Sequence, residues 1–491
     1  MNSYLLNRAL GVTSPQAFER AQTTRLAHAL QPAPHIRFSS RPTSSTTNRS
    51  QNASTLAPGG QGTEEDESNN NGNAVQEIYA HNAGVNALTI DKFEGKYMLS
   101  GGADSSIFIW DLEQQASENA NGNTNDDNDS GKRSILHTPA GAVKRSSSTH
   151  KFGITQLSFY PFDSLAFLSS SFDHTLKISS SITMAPSASF DLGSVIYSHA
   201  LSPIADHLLV ACATQHPAVR LVDLRSGAST HSLAGHHGAV LSVAWSPRDE
   251  YVLASSGTDG GVRLWDVRRS AGCLGVLDME DSVGICGYDG LGTGARRREK
   301  GKAHNGAANG VVWTDDGNYI ITVGHDERIR VWDAATSANT LASFGPIIKN
   351  TRLAPILPAL APTYMTPPGK PLMFYPNERE ILAFDLFEGR LLKRLRAPGT
   401  QVAAATKAAQ RNLQNRVTAL AWRQGDVEMY SAHSDGLIRT WRPRTREDAE
   451  LEEQEAAEAK LNDEEDETRK RKRQVLEDIY HDLTRQKVTF T

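Results

Sequence analysis

Four stretches of the chain share an inner spacing that a single fold element would not need. They are SGGADSSIFIWD ending at Asp111, SSGTDGGVRLWD ending at Asp266, TVGHDERIRVWD ending at Asp333, and SAHSDGLIRTW ending at Trp441. In each, an aspartate stands six residues before a tryptophan, and a hydroxyl side chain stands four residues before the aspartate. The sets are Ser100, Asp104 and Trp110; Ser255, Asp259 and Trp265; Thr322, Asp326 and Trp332; Ser431, Asp435 and Trp441. His81, His236 and His304 precede the first three tryptophans by 29, 29 and 28 residues. Between aspartate and tryptophan, apolar and other residues alternate, as in Val262 and Leu264, which predicts a strand with one buried face. Recurrence at such a period means a repeat architecture, in which each unit covers the apolar face of its neighbour.

Three weaker copies complete the series. SSSFDHTLKISS keeps His150, Ser169 and Asp173 in register but has Ser179 in the tryptophan position, and VRLVDLRSG around Asp223 and ILAFDLFEG around Asp385 keep only the apolar strand and its closing aspartate. Ser179, Val222 and Trp265 follow one another at 43 residues, the pitch of a four-stranded blade. These residues resemble the WD-repeat family, and seven copies imply an all-β, seven-bladed β-propeller over about residues 74–443. The longer gaps, 69 residues from Trp110 to Ser179 and 67 from Trp265 to Trp332, predict polar surface insertions at about 114–148 and 281–302. A propeller also needs a fourth strand in its last blade, and the chain after Trp441 is too charged to supply one. Residues 73–81, with Val75 and Ile78, are the expected donor.

Composition narrows the function classes. A net charge of -5 argues against a surface devoted to nucleic acid, so no direct DNA binding is expected. Three cysteines without a Cys-x-x-Cys pair suggest neither a disulfide framework nor a zinc site, and no metal or cofactor is expected. The N-terminal stretch lacks a continuous apolar core, and no apolar run is long enough to span a bilayer, so neither secretion nor a membrane partner is expected.

Recurring histidine, serine and aspartate could suggest nucleophilic hydrolysis, since such triads are recognised by geometry and not by chain order. One active site needs one triad, however, whereas copies in register with a tryptophan predict a repeated structural hydrogen-bond network. In the WD-repeat family, the resemblance implies, each Asp holds the His, which reaches the hydroxyl and the Trp N–H. No nucleophile elbow, phosphate loop or zinc-protease helix occurs, and the chain is expected to be non-catalytic.

Two arginines stand out. Arg268 follows Asp266 by two residues, and Arg225 follows Asp223 by the same interval. The pattern resembles the WD-x-R motif of receptors that dock onto the damaged-DNA-binding protein 1 adaptor of cullin-4 ubiquitin ligases. At a strand end the guanidinium fork is held on one face, where it can engage acceptors on a partner. Residues 7–26 predict a short helix, a stop at Gly11 and a second helix capped by Thr13 or Ser14 with Pro15 in its first turn. Residues 1–38 are accordingly expected to form an arm, separated from the propeller by a Ser/Thr/Asn/Gly-rich linker at 39–73.

The arm resembles that of the Cockayne syndrome group A family of substrate receptors at Arg8, Gly11, Pro15, Phe18, Arg20, Ala21, Thr24 and Arg25. GKYMLSGGAD, YPFDSLAFLSSSFDHTLK, VIYSHALSP and LWDVRRSAGCL resemble the same family along the propeller. The resemblance implies adaptor contacts from Arg8, Pro15, Phe18, Arg20, Thr24, Arg25, Arg225, Asp266 and Arg268. It also implies cullin-4 and its RING subunit, the Cockayne syndrome group B ATPase and RNA polymerase II as partners, in transcription-coupled nucleotide excision repair. The alternatives are a WD-repeat scaffold of another nuclear complex without a ligase, and a propeller hydrolase using one His/Ser/Asp set. Ser179 and Ser180 in place of a tryptophan-aspartate pair, the insertions and the tail depart from the family.

The tail, 444–491, turns from an acidic run at 447–467 to RKRKR at Arg469–Arg473, a nuclear-localisation candidate, with ARRREKGK at 295–302 a second. A nuclear location is expected. Leu476, Ile479, Tyr480 and Leu483 would share one face of a closing helix.

Overall fold

Blade four shows how the repeat folds. Val262–Asp266 is a strand paired antiparallel with Val252–Gly257 on one side, in the register Leu253 to Trp265 and Ser255 to Arg263, and with Cys273–Val276 on the other. Val240–Trp245 completes the sheet on its inner side. The strands are called a to d below, in the order 240–245, 252–257, 262–266 and 273–276. The structure, a computed structural model, describes residues 2–12, 14–40, 79–114, 116–117, 135–227, 229–269, 273–280, 301–397 and 416–444. Nearly all of the expected linker, much of both insertions and the tail from 445 on lie outside them. The chain divides into two units, and nearly all of the second, Thr124–Lys132 with Pro443–Thr491, lies outside the described residues as well.

The same pattern recurs seven times, as blades beginning at Val85, Ile154, Ile196, Val240, Ala308, Ala359 and Val417. The protein is a seven-bladed β-propeller. Its core lies between blades: Ala254, Val262 and Leu264 of blade four pack with Val311, Trp313, Ile320 and Trp332 of blade five. Trp110, Trp265, Trp332 and Trp441 are all essentially inaccessible. Each such large apolar side chain contributes about 1.5–3 kcal/mol by leaving water. Among the described residues blade five has three full strands, and a bridge from Trp332 to Asn339 lies along its outer edge.

The closing strand is not the expected one. Blade seven takes β1, Leu30–Pro32, as its fourth strand, outside Ile438–Pro443; residues 73–78 lie outside the described residues. Leu30 is fully buried among Leu372, Phe374 and Trp441, the Lys393 ammonium donates to the carbonyls of His28 and Leu30 at 3.1 and 2.7 Å, and Ala33 N–H donates to Thr440 O at 2.9 Å. Pro32 is tolerated because this is an edge strand. A second short strand, β2 (Ile36–Phe38), pairs in parallel with Ile135–His137. Phe38 stacks on His137 at 4.9 Å and meets Trp110 edge-on at 5.3 Å and Tyr430 at 6.1 Å. Residues 30–38, expected in the arm, therefore pack into the propeller, β1 as the outer strand of blade seven and Phe38 of β2 against Trp110 of blade one and Tyr430 of blade seven.

The first insertion is also corrected in part. Within 114–148 the chain forms Ala116–Ser117, Ile135–His137 and the outer strand of blade one, Pro139–Val143, so the polar stretch interrupts a blade between strands c and d.

In every antiparallel blade the a–b and c–d turns share one edge of the sheet, and the b–c turns and d–a links share the other. Seven blades in the same sense give the molecule two faces, one built from each set. Among the described residues no helix is long and apolar enough to cross a membrane.

Candidate functional site

The recurring polar residues meet inside the blades. In blade four the His236 Nδ1–H donates to Asp259 at 3.2 Å, the Ser255 hydroxyl donates to His236 Nε2 at 2.8 Å, and the Trp265 indole N–H donates to Ser255 Oγ at 2.7 Å. Blade five brings His304 together with Asp326 and Thr322 at 2.9 and 2.8 Å, the Trp332 N–H donates to Thr322 Oγ1 at 2.9 Å, and Arg330 Nη1 lies 2.7 Å from both Asp326 and His304 Nδ1. In blade one, Ser106 stands between His81 and Asp104, while Ser100 joins His81 at 2.7 Å to Trp110 at 2.8 Å. Blade two keeps His150, Asp173 and Ser169 at 3.0 and 2.8 Å without a tryptophan.

Blade seven solves the problem differently. His433, two residues after Ser431, takes the histidine position from within strand b. Arg439 donates to His433 Nδ1 at 2.8 Å and to Asp435 at 3.0 Å, so His433 Nε2–H donates to Ser431 Oγ at 2.9 Å, which also accepts from Trp441 at 2.8 Å. The spacing rule did not single out His433, Arg330 or Arg439; an arginine two residues before the tryptophan was the available signal.

Burial by itself raises a carboxylic acid, yet Asp259 is held well below the usual carboxylate range because His236 and the N–H groups of His237 and Gly261 donate to it. Asp259→Ala leaves these donors unpaired, and should cost about 1 to 3 kcal/mol of stability, read by denaturant unfolding. Any chemical activity should fall only in step with the folded fraction. A triad for hydrolysis would need an accessible serine, but Ser100, Ser255 and Ser431 are wholly buried and doubly bonded. A cavity of about 320 Å³ at the a–b end of the inner strands is lined by none of the tetrad residues. Among the described residues no group of three His, Cys, Asp or Glu could hold a metal ion.

A further buried histidine makes stability depend on pH. His199 bonds Ser170 and Ser158 at 2.9 and 2.8 Å, and burial pushes its pKa down to about 3. The folded pKa lies below the unfolded value of about 6.5, so the stability gained by keeping the ring neutral is complete above 6.5 and is lost as the pH falls towards 3. Unfolding free energy should therefore drop between pH 6.5 and 5 with a slope contribution of up to about 1.4 kcal/mol per pH unit, and His199→Asn should remove that contribution. The depressed carboxylates of the tetrads act only later, below about pH 4.

The second constellation lies on the face of the a–b and c–d turns. In the c–d turn of blade four, Arg268 folds back on Asp266: Nε donates to Oδ1 at 3.0 Å and Nη2 to Oδ2 at 2.9 Å. Its guanidinium lies 4.7 Å over the Tyr251 ring, which sequence reasoning missed. The Asp266 side chain is 5% exposed and that of Arg268 62%, so a buried carboxylate and an aromatic face hold an open fork in place. The Arg268 hydrogen bonds, joined by the nearby charge of Arg269, hold the Asp266 carboxyl below its usual range. Arg225 is exposed at the matching turn of blade three, where only its backbone N–H, at 2.9 Å, joins Asp223.

The arm reaches the same face. Helix α1 (Asn2–Ala9) ends at Gly11, whose φ of 72° lets Val12 N–H return to Asn7 O, and helix α2 (Pro15–His28) starts with Ser14 accepting from Ala17 N–H at 3.2 Å. Thr13 lies outside the described residues. Phe18 is buried, with the Arg8 guanidinium 4.9 Å over its ring. The Thr23 hydroxyl donates to Met365 O at 2.6 Å, in the a–b loop of blade six, and the Thr24 hydroxyl donates to Arg20 O of its own helix at 2.7 Å. Thr23 thereby ties α2 to the propeller, and Thr24, expected to contact the adaptor, is half-buried beside it. Pro15, Arg8 and Arg25 are exposed and Arg20 half-buried. Among the described residues, Leu6, Leu10, Val12 and Leu26 are the arm's large exposed apolar side chains. Thus the structure brings the arm and the two arginine turns to one face.

Fold and tetrads together define a WD40-repeat propeller: the WD domain, G-beta repeat, matches residues 72–111, 141–178, 227–266 and 298–333. The chain is 29% identical over 443 residues to the WD repeat-containing protein ATCSA-1 of Arabidopsis thaliana, covering 78% of this chain and 91% of that protein. It is also similar to the ribosome biogenesis protein YTM1 of Podospora anserina, 29% over 268 residues, and ytm1 of Neurospora crassa, 28% over 276 residues. Each of these covers 52% of this chain and 54% of the relative.

Proposed function

We propose that the protein is a non-catalytic substrate receptor of a nuclear cullin-4 RING ubiquitin ligase, acting in transcription-coupled nucleotide excision repair. The observation that carries this reading is the placement of the arm and of Arg268 and Arg225 on one face, where a single adaptor could engage both. Similarity to ATCSA-1 along most of both chains supports it. The chemistry is proximity: an adaptor held on this face leaves the face of the b–c turns for a target, whose lysines are then concentrated near the RING subunit.

The YTM1 relatives favour a second reading, a WD-repeat scaffold of another nuclear complex, but they cover only about half of the chain and leave the arm's placement without a role. Affinity purification of the tagged full chain from nuclear extract, read by mass spectrometry, separates the two. Recovery of damaged-DNA-binding protein 1 and cullin-4 is expected; recovery of ribosome-assembly proteins without them would overturn the receptor reading.

A further inference from the structure

The opposite face carries a charged cleft that neither the tetrads nor the arm explain. It lies between blades five, six and seven, where the d–a link before blade six (Lys349–Arg352), the b–c turn of blade six (Glu378, Arg379) and the start of blade seven (Arg416) line one depression. Lys349 is paired with Glu327 at 3.3 Å, and Glu378 accepts from the Thr351 hydroxyl at 3.0 Å. Among the described residues, no carboxylate pairs with the guanidinium of Arg352, Arg379 or Arg416. Three guanidinium groups thus face one carboxylate, an excess of two positive charges.

The backbone beneath the cleft is fastened. Lys349 N–H donates to Asn377 at 2.7 Å, the Tyr375 hydroxyl donates to Lys349 O at 3.0 Å, and buried Asn350 exchanges hydrogen bonds with Asn309 at 2.8 and 3.0 Å. Arg416 N–H donates to Ser434 Oγ at 3.0 Å, and Ser434 N–H returns to Arg416 O. Half-burial and the charge of Arg352 both push the Arg416 guanidinium below its usual range, opposed by Glu378. Like charges held together on rigid backbone cost free energy, and a dianion in the cleft would offset that cost.

We propose that this cleft binds a phosphorylated serine or threonine side chain of a partner polypeptide. A phosphomonoester carries close to two negative charges and presents oxygens that match guanidinium forks, so it balances the local excess. A nucleic acid fits less well, because the basic residues form one spot beside Glu327 and not a track for the roughly 6–10 phosphate contacts that strong backbone binding uses. The proposal does not depend on what the arm holds.

The test uses the full chain and an immobilised peptide library with one fixed phosphoserine, alongside the same library with serine or aspartate there. The phosphorylated library should be retained about tenfold or more above the serine library, and Arg416→Gln and Arg352→Gln should each remove most of that preference. Arg248→Gln, on the other face, should not. Arg352 is exposed, so its variant answers the question even if Arg416→Gln unfolds, which a thermal melt would show. Equal retention of all three libraries, competition by inorganic phosphate at the same concentration as by phosphopeptide, or an Arg416-dependent preference for a single-stranded oligonucleotide would each overturn the proposal.

Discussion

A chain that begins at Ser39 should fail to close its propeller, whereas one that begins at Ala29 should fold as the full chain does. The difference is β1 and β2. Between them they bury Leu30, Ile36 and Phe38 to below a tenth of their surface. At about 1.5–3 kcal/mol for each such side chain, their loss removes roughly 5–9 kcal/mol. Domains of this kind are stable by only about 5–15 kcal/mol, so the shorter chain should be largely unfolded or associated through the exposed edge of Ile438–Pro443. Circular dichroism melting and gel filtration of the two truncated chains read the effect directly. A Ser39-start chain that melts like the full protein would mean that another segment closes blade seven.

The second large effect concerns Arg268. Its replacement by alanine should weaken capture of the adaptor by about 2 to 5 kcal/mol if the guanidinium becomes buried and paired in the complex. The structure adds a discriminating variant. Arg268→Lys keeps a charge near Asp266 but loses the two-pronged bond and the stacking on Tyr251, so it should behave much more like alanine than like arginine. Arg225→Ala should be milder, because among the described residues no side-chain bond holds Arg225 in position. Surface plasmon resonance with immobilised adaptor reads these differences, and equal affinity of lysine and arginine would leave charge alone as the determinant.

What was legible in the sequence follows from where the physical constraint is local. Where a buried chain of His, Ser or Thr, Asp and Trp side chains is built on the same strand positions, those residue types recur at a constant spacing, so the blades with upstream histidines show themselves directly. Blade seven kept the chemistry and changed the spacing, because His433 enters from its own strand b, and a rule built on upstream histidines passes over it. The helices of the arm were readable from Gly11, Ser14 and Pro15, which act within one turn of themselves. The closing strand was not: Leu-Gln-Pro has no alternation, and its place is decided by Leu372, Phe374 and Trp441, hundreds of residues away in the chain. Val75 and Ile78 offered a better local pattern and so drew the expectation. Strand d of blade one, Pro-Ala-Gly-Ala-Val, was hidden for the same reason, its small residues carrying no strand signal until Ile109 and Phe108 pair with them. The docking of Thr23 on Met365 is likewise a contact between distant parts of the chain.

The receptor account rests most directly on whether the arm and the arginine turn act together on one partner. Titration of purified damaged-DNA-binding protein 1 against the full chain, the chain beginning at Ala29 and Arg268→Ala tests this, with a melt confirming that each is folded. The account predicts saturable binding by the full chain, loss of about a hundredfold or more on removal of the arm, and a clear loss with Arg268→Ala. Folded variants that both bind the adaptor as tightly as the full chain does would contradict it.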